Sequence, residues 1–182
     1  METLDFEGIP CQVRRRNGRR VRIAFHGGQL RVLLPRCVDP LPIIEQHKQW
    51  IVEKHAWYQQ QRRLAGQLEL NRRSGDVYLR LVQDLVARYA GVLGVRPTAI
   101  RFRKMKSKWG SCSSKGEITL NTWLHVLPET LVAFIVFHEL AHLQVRNHGP
   151  LFKALIRSEF SDFRDLDKKL KLYSLKILQE SP

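Results

Sequence analysis

The sequence predicts an α+β fold, and three observations support this. Apolar and polar residues alternate near residues 21–25 and again near 99–105, which is typical of half-buried strands. Elsewhere apolar residues recur at helical spacing, for example at Leu79, Val82 and Leu85. The chain has 182 residues, 43% of them hydrophobic, and shows no internal repeat, which predicts one main core with a small appended region.

The first part of the chain predicts a β-hairpin region. Asn17 and Gly18 form a pair that is typical of a two-residue hairpin turn, and the first alternating strand follows them. The pair Gly27 and Gly28 predicts the next turn. Residues 30–34 then predict a second strand, which ends at a proline.

A helix and a linker follow this hairpin region. Pro40 predicts a helix start, and helical spacing continues to about residue 64. Polar and glycine residues over 66–75 favour a linker. We therefore predict an N-terminal region over residues 1–75, packed on a catalytic part over residues 76–182.

Glycine and proline residues mark where several of the remaining predicted elements begin or end. A helix ends near Gly94, and strands over 99–105 and 117–121 enclose a polar turn, which predicts a second β-hairpin. Pro128 is suited to the first turn of a long apolar helix. A shorter helix follows Pro150, and a last one carries the apolar residues Phe163, Leu166, Leu170 and Tyr173 on one side.

Three histidines and one glutamate form the main functional signal. His138 and His142 are four residues apart, so on a helix they share one face and can hold one metal ion, and Glu139 can reach a metal-bound water. His148 lies just before Gly149, where we expect the helix to end and the chain to turn back toward the ion. Three imidazoles plus water make the open arrangement of a catalytic zinc site.

An ordinary surface helix is the alternative interpretation of this motif. Residues 131–137 lead into it and are apolar all round, which predicts a buried helix. Burying two histidines and a glutamate is costly unless a shared partner, such as a metal ion, satisfies them. We therefore favour the metal site.

A zinc site of this kind predicts hydrolysis. Zinc lowers the pKa of its bound water, and Glu139 would take a proton from that water before it attacks a peptide bond. The site also needs a group that stabilises the oxyanion, and its candidates are Lys108, Arg146, Asn147 and Tyr173. Zinc-dependent hydrolysis of a nucleotide or phosphate ester is an alternative, because the same chemistry can attack phosphorus.

The spacing of the histidines resembles that of the metzincins only in part. The third histidine falls ten residues after the first, as in that group. Val145, however, occupies the position where metzincins need glycine, and the only methionines are Met1 and Met105, so a methionine turn after His148 is missing. Membership of the metzincins is therefore not expected.

A second block of sequence carries a more specific resemblance. Residues 108–116 read KWGSCSSKG, Asn121 follows, and together with His138, Glu139, His142 and the Asn147–His148 pair they resemble the YgjP-like metallopeptidase family, which is related to the WLM and SprT-like zincins. The resemblance covers roughly residues 77–172. It implies a compact zincin-like domain, with a small antiparallel sheet, an active-site helix and backing helices. It also implies that the three histidines bind Zn²⁺ and that Glu139 is the general base.

The chain departs from the pattern of this family in two places. The segment over 66–75 is shorter than usual, and Phe152 is followed by Lys153 where the family tends to have Phe-Trp. The first departure concerns the N-terminal architecture, whereas the second slightly alters the packing behind the site and leaves the zinc ligands untouched.

The roles of the residues around the motif stay open at this stage. Trp109 could pack under the metal helix or, with Ser111, form the rim along which an extended substrate lies by strand addition. Asn121 could orient a ligand histidine or cap the end of a strand. Asn147 and Tyr173 complete the candidates for substrate or ligand support.

Charge and composition limit the partners that we expect. The net charge is +14, and the segment 11–36 holds eight arginines and no acidic residue, so contact with a nucleotide or nucleic acid is an alternative to a solvated basic face. This leaves a nucleic-acid-associated, protease-like module as a third functional hypothesis beside peptide and phosphate-ester hydrolysis. Three scattered cysteines, no apolar leader and no membrane-length apolar run favour a cytoplasmic protein without membrane contact.

Overall fold

The computed structural model describes residues 2–180, which form two compact units. The first unit comprises the chain up to Leu68 together with the segment from Ser174 onward, and the second is Glu69–Tyr173. The stretch over 66–75, in which we placed a linker, is divided between the two units, and in the second unit the Asn71 amide donates to the Val126 carbonyl over 2.8 Å. The two units meet in the chain between Leu68 and Glu69, and the boundary that we placed at residue 75 between an N-terminal region and a catalytic part stays a prediction.

The first unit contains a four-stranded sheet. Its strands are β1 (Glu2–Phe6), β2 (Ile9–Arg16), β3 (Arg22–His26) and β4 (Gln29–Pro35), arranged in the order β1-β2-β4-β3. Strands β2 and β4 run parallel, and the other two neighbouring pairs are antiparallel. The predicted turn at Gly27 and Gly28 is confirmed, because both residues have the positive φ that a tight β3–β4 hairpin requires.

The hairpin predicted at Asn17 and Gly18 is wrong, because β4 lies between β2 and β3. A two-residue turn joins only adjacent strands, which are about 5 Å apart, whereas β2 and β3 are separated by roughly twice that distance. The longer connection over 17–21 spans the gap. The most apolar strand, β4, takes one of the two central positions, where Leu30, Val32 and Leu34 are fully buried.

Two helices complete the described elements of the first unit before Leu68. They are α1 (Pro40–Gln46) and α2 (Lys48–Gly66), where the sequence predicted one continuous helix. The break lies at His47, whose φ of −107° and ψ of 13° leave the helical region. Ile44 and Ile51, one on each side of the break, are both fully buried in the core that also contains the apolar residues of β2 and β4.

The second unit surrounds one central helix with a small sheet and further helices. Its elements are α3 (Gly75–Leu93), β5 (Ala99–Arg103), β6 (Gly110–Cys112), β7 (Glu117–Asn121), a 3₁₀ turn (Thr122–Val126), α4 (Glu129–Ala141), α5 (Pro150–Glu159) and the first turns of α6 (Phe163–Glu180). The α+β prediction is confirmed. None of the helices within residues 2–180 is both long and apolar enough to cross a membrane.

The sheet of the second unit differs in one detail from the predicted antiparallel hairpin. Its order is β5-β7-β6, with β5 parallel to β7 and only β6 antiparallel to β7. Strand β6 lies within the segment that we predicted to be a polar turn. Glycine and serine are unfavourable in strands, so the composition of β6 concealed it.

The prediction that α4 is buried is confirmed. All residues from Leu131 to Phe137 are buried, as expected of a helix that is apolar on every side. Phe137 packs edge-to-face against Tyr89 and Phe160, with ring centroids 5.2 and 5.6 Å apart. The end of α4 is therefore held rigidly, and the histidine motif begins there.

Candidate metal centre and active site

The three predicted histidines come together at the end of α4. Each offers one ring nitrogen, and these nitrogens all lie within 4.8 Å of one another. The Nε2 atoms of His138 and His148 are 3.1 Å apart. His138 and His142 are partly buried, and His148 is exposed. The cluster therefore opens to solvent on the side of His148.

The helix ends earlier than the sequence predicted. Helix α4 stops at Ala141, His142 caps it, and a tight turn through Val145 follows. A helix continued to His148 would place that residue about 15 Å along the axis from His138. The chain must reverse before His148 for the imidazoles to meet, which is why the helix ends at the second histidine.

Hydrogen bonding and packing fix the orientation of these rings. His142 Nδ1 lies 3.1 Å from the Val145 carbonyl, and because a carbonyl only accepts, the Nδ1–H must donate. Nε2 of His142 then keeps its lone pair for a metal ion. Phe152 stacks on His142 with centroids 4.4 Å apart and presents its edge or face to His138 and His148 at 4.9 and 4.8 Å.

Burial keeps His138 neutral. Desolvation lowers the pKa of His138 to about 4, and the neighbouring His142 and His148 act in the same direction. Burial likewise lowers the pKa of His142. Neutral imidazoles are the form that ligates metal ions, so these two residues present lone pairs rather than protons at neutral pH.

Glu139 is the buried acid of the site, with 6% of its surface exposed. Desolvation raises the pKa of Glu139 to about 7, and the charge of Lys108 opposes that shift. Gly110 of β6 lies directly against this carboxyl group: a Cβ atom there would be 2.5 Å from Glu139 Oε1. Only glycine leaves room for the glutamate in this position.

These groups line one cleft of about 460 Å³. Its walls include all four motif residues and the whole of β6, together with Trp109 and Ser111, which we had proposed as a rim. Strand β6 is an edge strand, so one side of its backbone is not paired within the sheet. The cleft can therefore hold an extended chain beside Glu139 and the histidines.

A comparison with protein families matches the part of the chain that holds this cleft. The model of the family described as YgjP-like, metallopeptidase domain, matches residues 70–173, which is more than half of the sequence. The chain belongs to this family. The family is one of metal-dependent peptidases, and the histidine cluster lies within the matched residues of this YgjP-like chain.

Two solved structures are also similar to this YgjP-like chain. One is the metallopeptidase zymogen of Pyrococcus abyssi abylysin, 26% identical, which covers 49% of this chain and 90% of that chain with a TM-score of 0.46. The other is the metallopeptidase zymogen of Methanocaldococcus jannaschii jannalysin, 27% identical, with 49% and 92% covered and a TM-score of 0.45. The search of curated proteins gave no match.

Asn121 of the YgjP-like domain connects backbone segments. Its amide nitrogen donates to the carbonyls of Met105 and Lys108 over 2.7 and 2.9 Å. Its oxygen accepts from the amides of Met105 and Trp123 over 3.3 and 3.2 Å. Asn121 thus caps the 3₁₀ turn and holds the loop that leads to β6, and the four hydrogen bonds of its side chain to described residues involve no histidine.

Of the four candidates for oxyanion stabilisation, two line the cleft and two do not. Lys108 and Arg146 line the cleft, but both terminal nitrogens of Arg146 donate to the carbonyls of Ser113 and Ser114. Tyr173 donates its hydroxyl to the Glu69 carbonyl, and Asn147 is exposed; neither lines the cleft. Lys108 is therefore the candidate with the most direct access to a bound substrate.

Sequence reasoning missed Asp167 in this site, and it did not predict the contacts that Gly110 and Phe152 make there. Asp167 lines the cleft from α6, and burial raises its pKa while Lys171 and His148 act in the opposite direction. Phe152 follows Gly149 and Pro150 at the first turn of α5. The sequence therefore predicted that it lies on a helix, but it did not predict that its ring stacks on imidazoles. Only the folded chain brings these three residues to the motif.

Proposed function

We propose that this protein is a zinc-dependent metallopeptidase, in which His138, His142 and His148 hold the ion and Glu139 moves protons. The observation that carries the proposal is the convergence of three ring nitrogens within 4.8 Å, beside a buried glutamate in the wall of one cleft. Membership of a metallopeptidase family supports the same reaction class.

The chemistry of the donor set fits zinc. Three imidazole ligands leave a further position for water or substrate, which is the arrangement of catalytic rather than structural zinc sites. The hydrogen bond from His142 Nδ1 to a backbone carbonyl is the kind of support that ligating histidines have. When bound, zinc supplies Lewis acidity, which polarises a carbonyl and makes water more acidic.

Glu139 is suited to carry a proton in both directions. A carboxyl group whose pKa is raised by burial to about 7 exchanges protons readily at neutral pH. In the proposed reaction it accepts a proton from the attacking water and delivers one to the amine that leaves. Gly110 restricts where this carboxyl group can lie, which keeps it in the cleft.

Strand β6 would position the substrate. An extended peptide can pair with the free edge of this strand, where backbone hydrogen bonds give affinity without sequence preference. Trp109 and Ser111 would then contact neighbouring side chains of the peptide. Lys108 would stabilise negative charge on the carbonyl oxygen under attack.

The decisive experiment separates metal binding from catalysis. The wild-type protein should hold about one zinc ion per chain by mass spectrometry of metals. His142→Ala should lose the ion, whereas Glu139→Gln should keep it and lose peptide hydrolysis by about 10²–10⁴-fold. Glu129→Gln, on the same helix but exposed, and His26→Ala, exposed in the first unit, are the matched controls.

The substrates should include quenched fluorescent peptides and nucleoside triphosphates, so that the phosphate-ester alternative is tested in parallel. Hydrolysis of triphosphates but not peptides, lost in Glu139→Gln, would replace the peptidase assignment. Full peptide hydrolysis by Glu139→Gln would remove that residue from its role.

A further inference from the structure

The sheet of the first unit has one apolar face and one basic face. Side chains alternate along a strand, so the buried residues Ile9, Cys11 and Val13 place their neighbours Gln12 and Arg14 on the opposite face. The same alternation in β4 and β3 assigns further arginines to that face. Together, the four arginines Arg14, Arg16, Arg22 and Arg31 define what we call the arginine face.

Strand register places these arginines close together. Arg14, Leu33 and Arg22 form one row across β2, β4 and β3, and Gln12, Arg31 and Ala24 form the next row. Because neighbouring strands are about 4.8 Å apart, the Cα atoms of Arg14 and Arg22 lie roughly 10 Å apart. Arg14, Arg16 and Arg22 are exposed.

These arginines are not neutralised within the unit. None of the ion pairs formed among residues 2–180 involves any of the four. Arg15 provides the contrast. It points to the other side, donates to the carbonyls of Arg36 and Val38, and pairs with Glu2 at 3.4 Å.

Protection of a sheet edge does not explain this arrangement. Charged residues on edge strands discourage pairing with other chains, but Arg14 and Arg31 lie on β2 and β4, the two central strands. Clustered like charges repel each other, and this repulsion would be relieved by an anion that spans several of them.

We propose that the arginine face binds the phosphate backbone of double-stranded nucleic acid without reading its sequence. The face is broad and carries several cations, which suits a line of phosphates rather than a single small anion. Within the four strands, no Phe, Tyr or Trp alternates onto this face, so it offers no platform on which unpaired bases could stack. Duplexes should therefore bind at least as well as single strands.

The test is fluorescence anisotropy of labelled DNA and RNA duplexes, titrated with the full chain between about 50 and 200 mM salt. Wild-type protein should bind with micromolar or weaker affinity, and that affinity should fall steeply with salt. Arg14→Ser with Arg22→Ser should weaken binding about tenfold at low salt and reduce the salt slope by about 2. Replacing both residues by lysine should retain the slope.

A charge-matched control separates a site from overall basicity. Arg80→Ser with Arg96→Ser removes the same charge from exposed positions of the second unit and should change affinity less than about twofold. Equal losses in the two double variants, or no binding at low salt, would overturn the proposal. It would also be overturned if polyglutamate or single strands bound more tightly than the duplexes did.

Discussion

Both units contain the same arrangement of three strands, and the two copies differ in what surrounds them. In the first unit β2 runs parallel to β4, and β3, which lies between them in the chain, pairs antiparallel with β4 on its far side. In the second unit β5, β7 and β6 repeat this order and these directions. The middle strand in the chain, β3 or β6, is an edge strand in both sheets.

The two edge strands differ in whether the charged group beside them is exposed to water. Strand β6 lies against the end of a buried helix, so the charge that it faces, on Glu139, is desolvated and its pKa is raised to about 7. Strand β3 carries Arg22 on an exposed face, where the charge stays hydrated. Desolvation prepares a group for proton transfer, whereas exposed charge suits the attraction of a polyanion.

The largest loss of stability should come from a substitution in α4, the helix that lies against β6. Phe137→Ala empties a fully buried position between Tyr89 and Phe160, so the free energy of unfolding should fall by about 3–5 kcal/mol. Urea denaturation followed by tryptophan fluorescence measures this loss. Trp57→Ala in the first unit is the control, because this residue is 45% exposed and its replacement should lower stability much less. Similar losses at both positions would contradict the difference in burial.

A smaller loss is expected where Asn121 holds the loop before β6. Asn121→Ala leaves the carbonyls of Met105 and Lys108 without their donor, so stability should fall by about 2 kcal/mol. Peptide hydrolysis should fall with it, because the loop leads directly into the cleft. Asn147→Ala makes the same chemical change at an exposed position and should leave the denaturation midpoint in place. An unchanged midpoint for Asn121→Ala would show that water replaces its hydrogen bonds.

The close approach of Gly110 to Glu139 gives a third comparison. Gly110→Ala should displace the glutamate, lower stability by about 1–2 kcal/mol and reduce peptide hydrolysis at least tenfold. Gly91→Ala in α3 is the matched change, because nothing lies within 4 Å of its added methyl group. It should be neutral or slightly stabilising, since alanine favours helix. Unaltered activity in Gly110→Ala would show that Glu139 tolerates displacement.

The smallest effect on stability should come from the arginine face. Arg14→Ser with Arg22→Ser removes two exposed like charges that have no ion-pair partner among the described residues. The denaturation midpoint should stay the same or rise slightly at low salt, because repulsion is relieved. A clear fall in the midpoint would mean that these arginines contribute to folding rather than to binding.

Local patterns in the sequence predicted much of the candidate site. The spacing of His138 and His142 placed them on one helical face, and the apolar run before them predicted the buried helix that the structure has. The α+β class and the turn at Gly27 and Gly28 follow from equally local signals. The proposed assignment of His148 as the third ligand also began with its position just before a helix-breaking pair.

Strand order did not follow from such patterns. The two predicted hairpins, one joining β2 to β3 and the other joining β5 to β7, were wrong predictions. Strand pairing depends on which strand is buried at the centre of a sheet, and local patterns do not show this. Serine and glycine concealed β6, although its backbone forms a wall of the cleft. A single helix over residues 40–64 was also wrong, and no glycine or proline marks the break at His47.

The sequence alone determined that His138, Glu139 and His142 lie within about one helical turn of each other, because a helix fixes the distance between residues four apart. Tertiary structure alone decided that Gly110 presses on Glu139, that Phe152 stacks under the imidazoles, and that arginines from three strands share one face. Gly110 and Glu139, like the arginines of the three strands, are distant in the chain, and Phe152 reaches His142 only because the chain reverses after α4. All of these contacts depend on how apolar segments compete for the same buried space.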